Sequence, residues 1–192
     1  LSLDRALRGS GPLQPMVLPQ AISGHAGTVM EMMLDRACVV LATGLGISYI
    51  ALPAGGRKWT GAGLLGAIEG FVLWFLLPPA PGPYAVVVLA ASVASCWICG
   101  WADRALGTHD NPRIVLDEVV GFWVAAAGLP RETQVVAAAF VAFRLFDCVK
   151  LPPYRWLERL PGGLGVVADD LGAGLVANLA VRLIWGRWGW SL

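Results

Sequence analysis

Apolar residues dominate six stretches of this chain, and short links rich in proline and glycine separate them. The stretches cover residues 36–52, 61–77, 84–101, 114–129, 133–149 and 166–185. Each has about 16 to 20 residues, close to the length that a helix needs to cross the hydrocarbon core of a bilayer. Helices are favoured over strands because a backbone in lipid must satisfy its own hydrogen bonds. The pattern predicts an all-α fold, a polytopic membrane bundle of about five to six apolar helices.

Composition supports that class. Hydrophobic residues make up 57% of the 192 residues and charged residues 14%, against roughly 25% charged in an average soluble domain. The length suits one domain, so we expect residues 31–192 to form a single membrane-embedded domain. Residues 1–30 carry several prolines and glycines and are predicted to be a loosely structured leader. The net charge of +1 and the absence of a basic cluster argue against nucleic-acid binding.

The charges of the links predict an orientation. Arginine and lysine residues occur in the links 53–60, 102–113 and 150–165, whereas the link 78–83 has no charged residue. If the chain crosses the membrane once with each stretch, the three basic links all lie on the same side. By the positive-inside rule, that side is the cytoplasmic one. The same topology places the long leader outside the cell. The first stretch is therefore interpreted either as a spanning helix or as a helix that lies at the membrane interface.

Acidic residues occur at the ends of three of the predicted helices. Asp117 and Glu118 open the fourth stretch, Asp147 lies near the end of the fifth, and Asp169 and Asp170 lie near the start of the sixth. The predicted topology brings all these ends to the cytoplasmic side at similar depth. We therefore expect the five carboxylates to lie close together.

Acidic and basic side chains inside a membrane need a physical reason, since each costs on the order of 2.5–3.5 kcal/mol at a helix centre. Arg144, Asp147 and Lys150 recur at a spacing of three, so ion pairs on one helix face explain the fifth stretch. The two adjacent acidic pairs have no such cation beside them. A hard divalent cation relieves their repulsion, and Mg²⁺ prefers carboxylate, water and phosphate oxygens.

Two further features fit such a site, and one acidic residue has no assigned chemistry. Gly162 and Gly163 precede the sixth stretch, where backbone N–H groups at a helix start can face an anion. This signal is weak because glycine turns before helices are common. Asp110 lies in a polar turn near the same predicted face. Glu69, in the middle of the second stretch, is interpreted as facing the bundle and pairing with an arginine.

Three segments resemble the sequence blocks of the phosphatidylglycerophosphatase A family. They are residues 114–121 (IVLDEVVG), 143–150 (FRLFDCVK) and 162–174 (GGLGVVADDLGAG). The resemblance implies an all-helical, Mg²⁺-dependent enzyme of the bacterial cytoplasmic (inner) membrane, with its active site facing the cytoplasm. Such an enzyme removes the terminal phosphate of phosphatidylglycerophosphate and releases phosphatidylglycerol.

The resemblance also implies roles for individual residues. The metal ligands would be Asp117, Glu118, Asp147, Asp169, Asp170 and Asp110. Arg144 and Lys150 would steady the phosphate or the acid cluster, and the helix start described above adds the backbone of Gly162 and Gly163 as candidate phosphate contacts. The catalytic set would be Asp117, Asp170, Lys150 and Arg144, with one of the two aspartates accepting the proton of an attacking water. An aspartyl-phosphate route stays open at this point.

Two other classes of function compete with the enzyme hypothesis. A divalent-cation transporter would distribute acidic groups through the membrane depth, whereas here they gather at one end. A non-catalytic membrane protein is the second alternative. Other phosphatase chemistries fit poorly, because the sequence has no Cys-x5-Arg loop, no Asp-x-Asp-x-Thr motif and only two histidines.

Overall fold

The computed structural model describes residues 28–51, 61–107, 111–149, 156–157 and 160–186. All secondary structure within these residues is helical, which confirms the all-α class. The elements in chain order are α1 (Val29–Ala42), a 3-10 turn (Ile47–Ile50), α2 (Ala62–Trp74), α3 (Pro81–Ala105), α4 (Leu116–Ala125), α5 (Thr133–Val149) and α6 (Gly163–Gly186). Most of the predicted leader lies outside the described residues.

The first apolar stretch is not one helix, unlike the expectation. Thr28 and Glu31 form a capping box that starts α1 earlier than the apolar pattern suggested, because each side chain satisfies a backbone N–H of the other residue. Helix α1 then ends at Ala42, since Gly44, Leu45 and Gly46 all have positive φ angles. Three consecutive left-handed residues cannot continue a right-handed helix, so the stretch splits into α1 and the 3-10 turn.

Helix α4 is the centre of the bundle. Although it has only 10 residues, it contacts each of the other five described α-helices. Val119, Val120 and Phe122 are fully buried, and the Phe122 ring packs against Phe143 of α5 and Phe140 one turn earlier. A helix enclosed in this way holds its first turn, with its two acidic residues, inside the protein.

Glycines bring α4 and α6 into backbone contact. A Cβ atom at Gly174 of α6 would overlap the carbonyl oxygen of Gly121 and lie 3.2 Å from Cβ of Val124. A Cβ at Gly121 would in turn lie 3.0 Å from the carbonyl oxygen of Asp170. Because the two backbones touch, short aspartate side chains on these helices can reach one another.

Hydrogen bonds at the far end of α4 fix its position along α6. The side-chain amide of Asn178 donates to the carbonyl oxygens of Ala125 and Ala127 at 2.9 and 2.8 Å. Arg182 donates to the carbonyl oxygens of Ala127 and Gly128. These bonds satisfy carbonyls that a helix end leaves unpaired, and they anchor α4 to α6.

The outer surface of the bundle is apolar. Along α3, Val86, Leu89, Val93 and Trp97 recur at helical spacing and are more than half exposed. Leu175, Leu179 and Leu183 form a similar stripe on α6. Exposed apolar stripes of this kind face lipid or a partner, since water does not stabilise them.

Of the described helices, α3 and α6 are long and apolar enough to cross a membrane. Membrane association is thereby supported, but five to six spanning helices are not confirmed. Helix α4 is about 15 Å long at 1.5 Å per residue, which is half the thickness of a hydrocarbon core.

Candidate metal and catalytic site

Three carboxylates from two helices form a compact group. Asp117 and Glu118 occupy the first turn of α4, and Asp170 lies about two turns into α6. One oxygen of each residue can be chosen so that all three lie within 4.8 Å of one another. Asp117 and Asp170 are buried, with 7% and 4% of their surface exposed. We refer to Asp117, Glu118 and Asp170 as the carboxylate triad.

Helix α5 adds a charged pair to the edge of the triad. Arg144 Nη1 donates to Asp147 Oδ2 at 2.6 Å, and both side chains are mostly buried. The Asp147 carboxylate also lies near enough to Asp170 and Glu118 for its charge to act on both. Three helices therefore deliver four acidic groups and one guanidinium to the same place.

The electrostatics of the triad favour a bound cation. Asp117 and Asp170 are almost fully buried, and the Glu118 carboxylate adds a third acidic group within the same 4.8 Å. Oε2 of Glu118 is buried without a hydrogen-bond partner in the part of the chain that the structure describes. A divalent cation would supply the missing positive charge and a partner for that oxygen, and an all-oxygen donor set suits Mg²⁺.

The remaining predicted site residues fall into two groups. Asp169 is buried next to Asp170 on α6 but points about 100° away from it, as adjacent helical residues do, and its role as a metal ligand stays a prediction. Asp110 and Lys150 lie outside the described residues. Their roles as ligand and phosphate contact stay predictions.

The structure gives each of the two predicted phosphate-binding glycines a structural reason, a positive φ at Gly162 and close packing at Gly163. Gly162 has a φ of +63° and precedes α6. A Cβ at Gly163 would overlap the carbonyl oxygen of Cys96 and lie 2.7 Å from the nitrogen of Gly100 on α3. Close packing already explains the missing side chain at Gly163, which lies about 10 Å along α6 from Asp170. Phosphate binding by these glycines stays a prediction.

Sequence reasoning missed the contribution of α2. A Cβ at Gly63 would overlap Oε1 of Glu118 and lie 3.3 Å from Nη2 of Arg144. The detectable signal was the glycine spacing at positions 63, 66 and 70, which indicates a helix face in close contact. That spacing did not reveal that the contact at Gly63 is with charged groups.

The expected arginine partner of Glu69 is not found within the described residues. The Glu69 carboxylate lies against the backbone of Gly44 and beside Val115. Its Oε2 atom is buried without a hydrogen-bond partner in that part of the chain. Glu69 therefore faces the bundle, as the sequence suggested, but in a different contact.

Comparison with known proteins gives one consistent family. A family model described as phosphatidylglycerophosphatase A matches residues 40–185. A protein named phosphatidylglycerophosphatase A from Escherichia coli (strain K12) is 33% identical over 129 residues, covering 66% of this chain and 75% of that protein. A protein of the same name from Haemophilus influenzae is 34% identical over 147 residues, covering 76% and 86%.

A further relative carries a different name. The Bacteroides thetaiotaomicron protein named "Putative phosphatidylinositol-3-phosphatase" is 32% identical over 155 residues, covering 78% of this chain and 93% of that protein. No solved structure shows a significant match to this chain. Residues 40–185, which the family model matches, contain the whole carboxylate triad and the Arg144–Asp147 pair.

Proposed function

This chain belongs to the phosphatidylglycerophosphatase A family and is a phosphatase, and from that premise we propose that it hydrolyses the terminal phosphate of phosphatidylglycerophosphate to give phosphatidylglycerol and phosphate. The observation that carries the proposal is the carboxylate triad beside Arg144. Oxygen donors for a cation and a guanidinium for an anion lie together, as cleavage of a charged phosphomonoester requires.

We further propose that Asp117, Glu118 and Asp170 hold Mg²⁺, with Asp147 beside them. The support is the all-oxygen donor set, the burial of both aspartates and the unpartnered Oε2 of Glu118. When bound, the ion would offset the charge of the phosphate oxygens as a Lewis acid. Oxygen ligands with several waters and a phosphate are the usual surroundings of this cation.

The chain's own side chains account for the rest of the chemistry. Asp147 holds the guanidinium of Arg144 at 2.6 Å, and the remaining N–H groups of Arg144 can donate to phosphate oxygens. Asp117 or Asp170 accepts the proton of the attacking water through its second carboxylate oxygen, the one that it does not offer to the ion. Burial of both aspartates keeps bulk water away and strengthens these electrostatic contacts.

The proposed location is the bacterial inner membrane, with the triad towards the cytoplasm. The apolar stripes of α3 and α6 face lipid. Asp117 and Glu118 lie in the first turn of α4, and Asp170 lies about two turns into α6. The headgroup of a lipid can reach the triad there from the membrane boundary. The link charges of the sequence orient this end inwards.

The test is phosphate release by the purified full chain in detergent micelles. Three substrates are compared, namely phosphatidylglycerophosphate, phosphatidylinositol 3-phosphate and phosphatidate. We expect the first to be hydrolysed fastest, EDTA to stop the release, and added Mg²⁺ to restore it.

Each component of the proposal can fail separately in that assay. Preference for phosphatidylinositol 3-phosphate would contradict the proposed substrate and favour the activity named for the Bacteroides relative. Release that continues in EDTA would contradict the metal. An absence of release from all three lipids, together with cation flux into proteoliposomes, would identify a transporter.

A further inference from the structure

Gly63 is the residue of α2 that touches the charged groups of the site. The position that a Cβ would occupy there overlaps Oε1 of Glu118 and lies 3.3 Å from both Nη2 of Arg144 and the Glu118 carboxyl carbon. The backbone of Gly63 does not have a positive φ, so conformational freedom does not explain the glycine. The glycine is explained by the space that the Glu118 carboxylate and the Arg144 guanidinium need.

The other two glycines on this face of α2 meet different atoms. A Cβ at Gly66 would lie 2.8 Å from the backbone oxygen of Val115, and one at Gly70 would lie 3.0 Å from the backbone of Val119. The closest atoms contacted are main-chain atoms and a Cβ, namely those of Val115 just before α4 and of Val119 within it. Such atoms cannot move without the backbone. The contacts of Gly63 are with the far ends of long side chains, which can move.

We propose that Gly63 is a positioning residue for the phosphatase reaction, whose bare backbone seats the Glu118 carboxylate and the Arg144 guanidinium next to each other. The inference rests on the proposed function. It adds α2 to the site as a fourth helix, since Gly63 lies against both head groups.

The physical difference between the glycines makes the inference testable. An alanine at 63 pushes the Glu118 and Arg144 head groups aside, which needs no backbone movement and leaves the fold intact. An alanine at 66 must displace the backbone of Val115, immediately before α4, and therefore destabilises the bundle. Gly63→Ala should lower activity more than stability, and Gly66→Ala should lower stability.

The experiment compares Gly63→Ala, Gly66→Ala and Gly186→Ala as full chains in detergent. Gly186 ends α6 and has no atom within 4 Å of a built Cβ, so its variant is the matched control. For Gly63→Ala we expect kcat/KM for phosphatidylglycerophosphate to fall about tenfold or more, with a higher Mg²⁺ concentration needed for half-maximal activity. Its unfolding temperature should stay within about 2 °C of the wild type.

A double-mutant cycle with Glu118→Gln separates positioning from a general loss of structure. If Gly63 acts through Glu118, the effects of Gly63→Ala and Glu118→Gln on kcat/KM are not additive. Additive effects, or wild-type kinetics of Gly63→Ala, would overturn the inference while the wild type stays active. A wild type without phosphatase activity would instead contradict the proposed function.

Discussion

Asp117 and Asp170 lie on different helices, yet each contributes an oxygen to a group whose members are within 4.8 Å of one another. Two contacts produce this proximity. The backbones of α4 and α6 touch at Gly121 and Gly174, and Asn178 fixes the end of α4 by donating to the last carbonyl of that helix and to one two residues beyond it. Packing and register together therefore place two buried like charges side by side.

The first prediction concerns those two aspartates. Asp117→Asn and Asp170→Asn keep the side-chain shape but remove a charge, so each should lower kcat/KM at least about tenfold, as loss of a metal ligand does. The unfolding temperature in EDTA should stay level or rise, because one source of repulsion between buried carboxylates disappears.

Phosphate release and thermal unfolding of the same preparations check both parts. Glu132→Gln is the matched control, since Glu132 is exposed just before α5 and about 20 Å along that helix from Asp147. Full activity of either aspartate variant would show that the substituted aspartate is not needed for metal binding or catalysis.

The second prediction concerns the contact between α4 and α6. Gly174→Ala introduces a Cβ that overlaps the carbonyl oxygen of Gly121, and overpacking of this kind costs typically 1–3 kcal/mol. We expect a lower unfolding temperature and lower activity together, because the helices must separate. Gly186→Ala, on the same helix but in open space, should change stability by less than about 0.5 kcal/mol. Equal stability of the two variants would contradict the close contact.

The sequence predicted helix positions where packing did not intervene. The fifth stretch, 133–149, coincides with α5 (Thr133–Val149). The fourth is shorter than its apolar pattern, because the N–H of Val115 donates to Ala42 at 2.8 Å before α4 begins and Gly128 has a positive φ beyond its end. Hydrogen bonds to distant residues do not show in a hydropathy pattern.

The site was predictable to a similar degree. Charge placement was enough to expect the carboxylates at one end of the bundle, and the structure brings Asp117, Glu118 and Asp170 together with Asp147 beside them. The pattern did not distinguish Asp169 from Asp170, because that choice depends on the rotation of α6 about its axis. The contact of Gly63 with charged groups was not predicted, because a glycine in an apolar helix does not indicate which groups it faces.

The third prediction concerns Arg144. Its positive charge lies beside Asp147 and Glu118, where it competes with a metal ion and also meets the phosphate. Arg144→Gln should therefore lower kcat severalfold or more while lowering the Mg²⁺ concentration for half-maximal activity, since like charges repel over a few ångströms.

Mg²⁺ titrations of steady-state activity measure both quantities. Arg104→Gln is the control, because the Arg104 guanidinium lies over the Trp101 ring, 4.7 Å from its centroid. An increased Mg²⁺ requirement in Arg144→Gln would show instead that Arg144 serves mainly to hold Asp147.

The fourth prediction concerns orientation in the membrane. Cys148 is exposed next to Asp147, Cys96 on α3 is partly exposed, and Cys38 and Cys99 are buried. If the triad faces the cytoplasm, a membrane-impermeant maleimide should label Cys148 in inverted vesicles and not in intact cells. Labelling should disappear in Cys148→Ala. Labelling of Cys148 in intact cells would place this end of the bundle outside.

Cation binding by the triad is the central claim, and Mn²⁺ binding measured by electron paramagnetic resonance tests it without any substrate. The wild-type chain in detergent should bind Mn²⁺ saturably, Mg²⁺ should displace it, and the double variant Asp117→Asn, Asp170→Asn should lose that binding. Equal Mn²⁺ affinity in the wild type and the double variant would contradict the account.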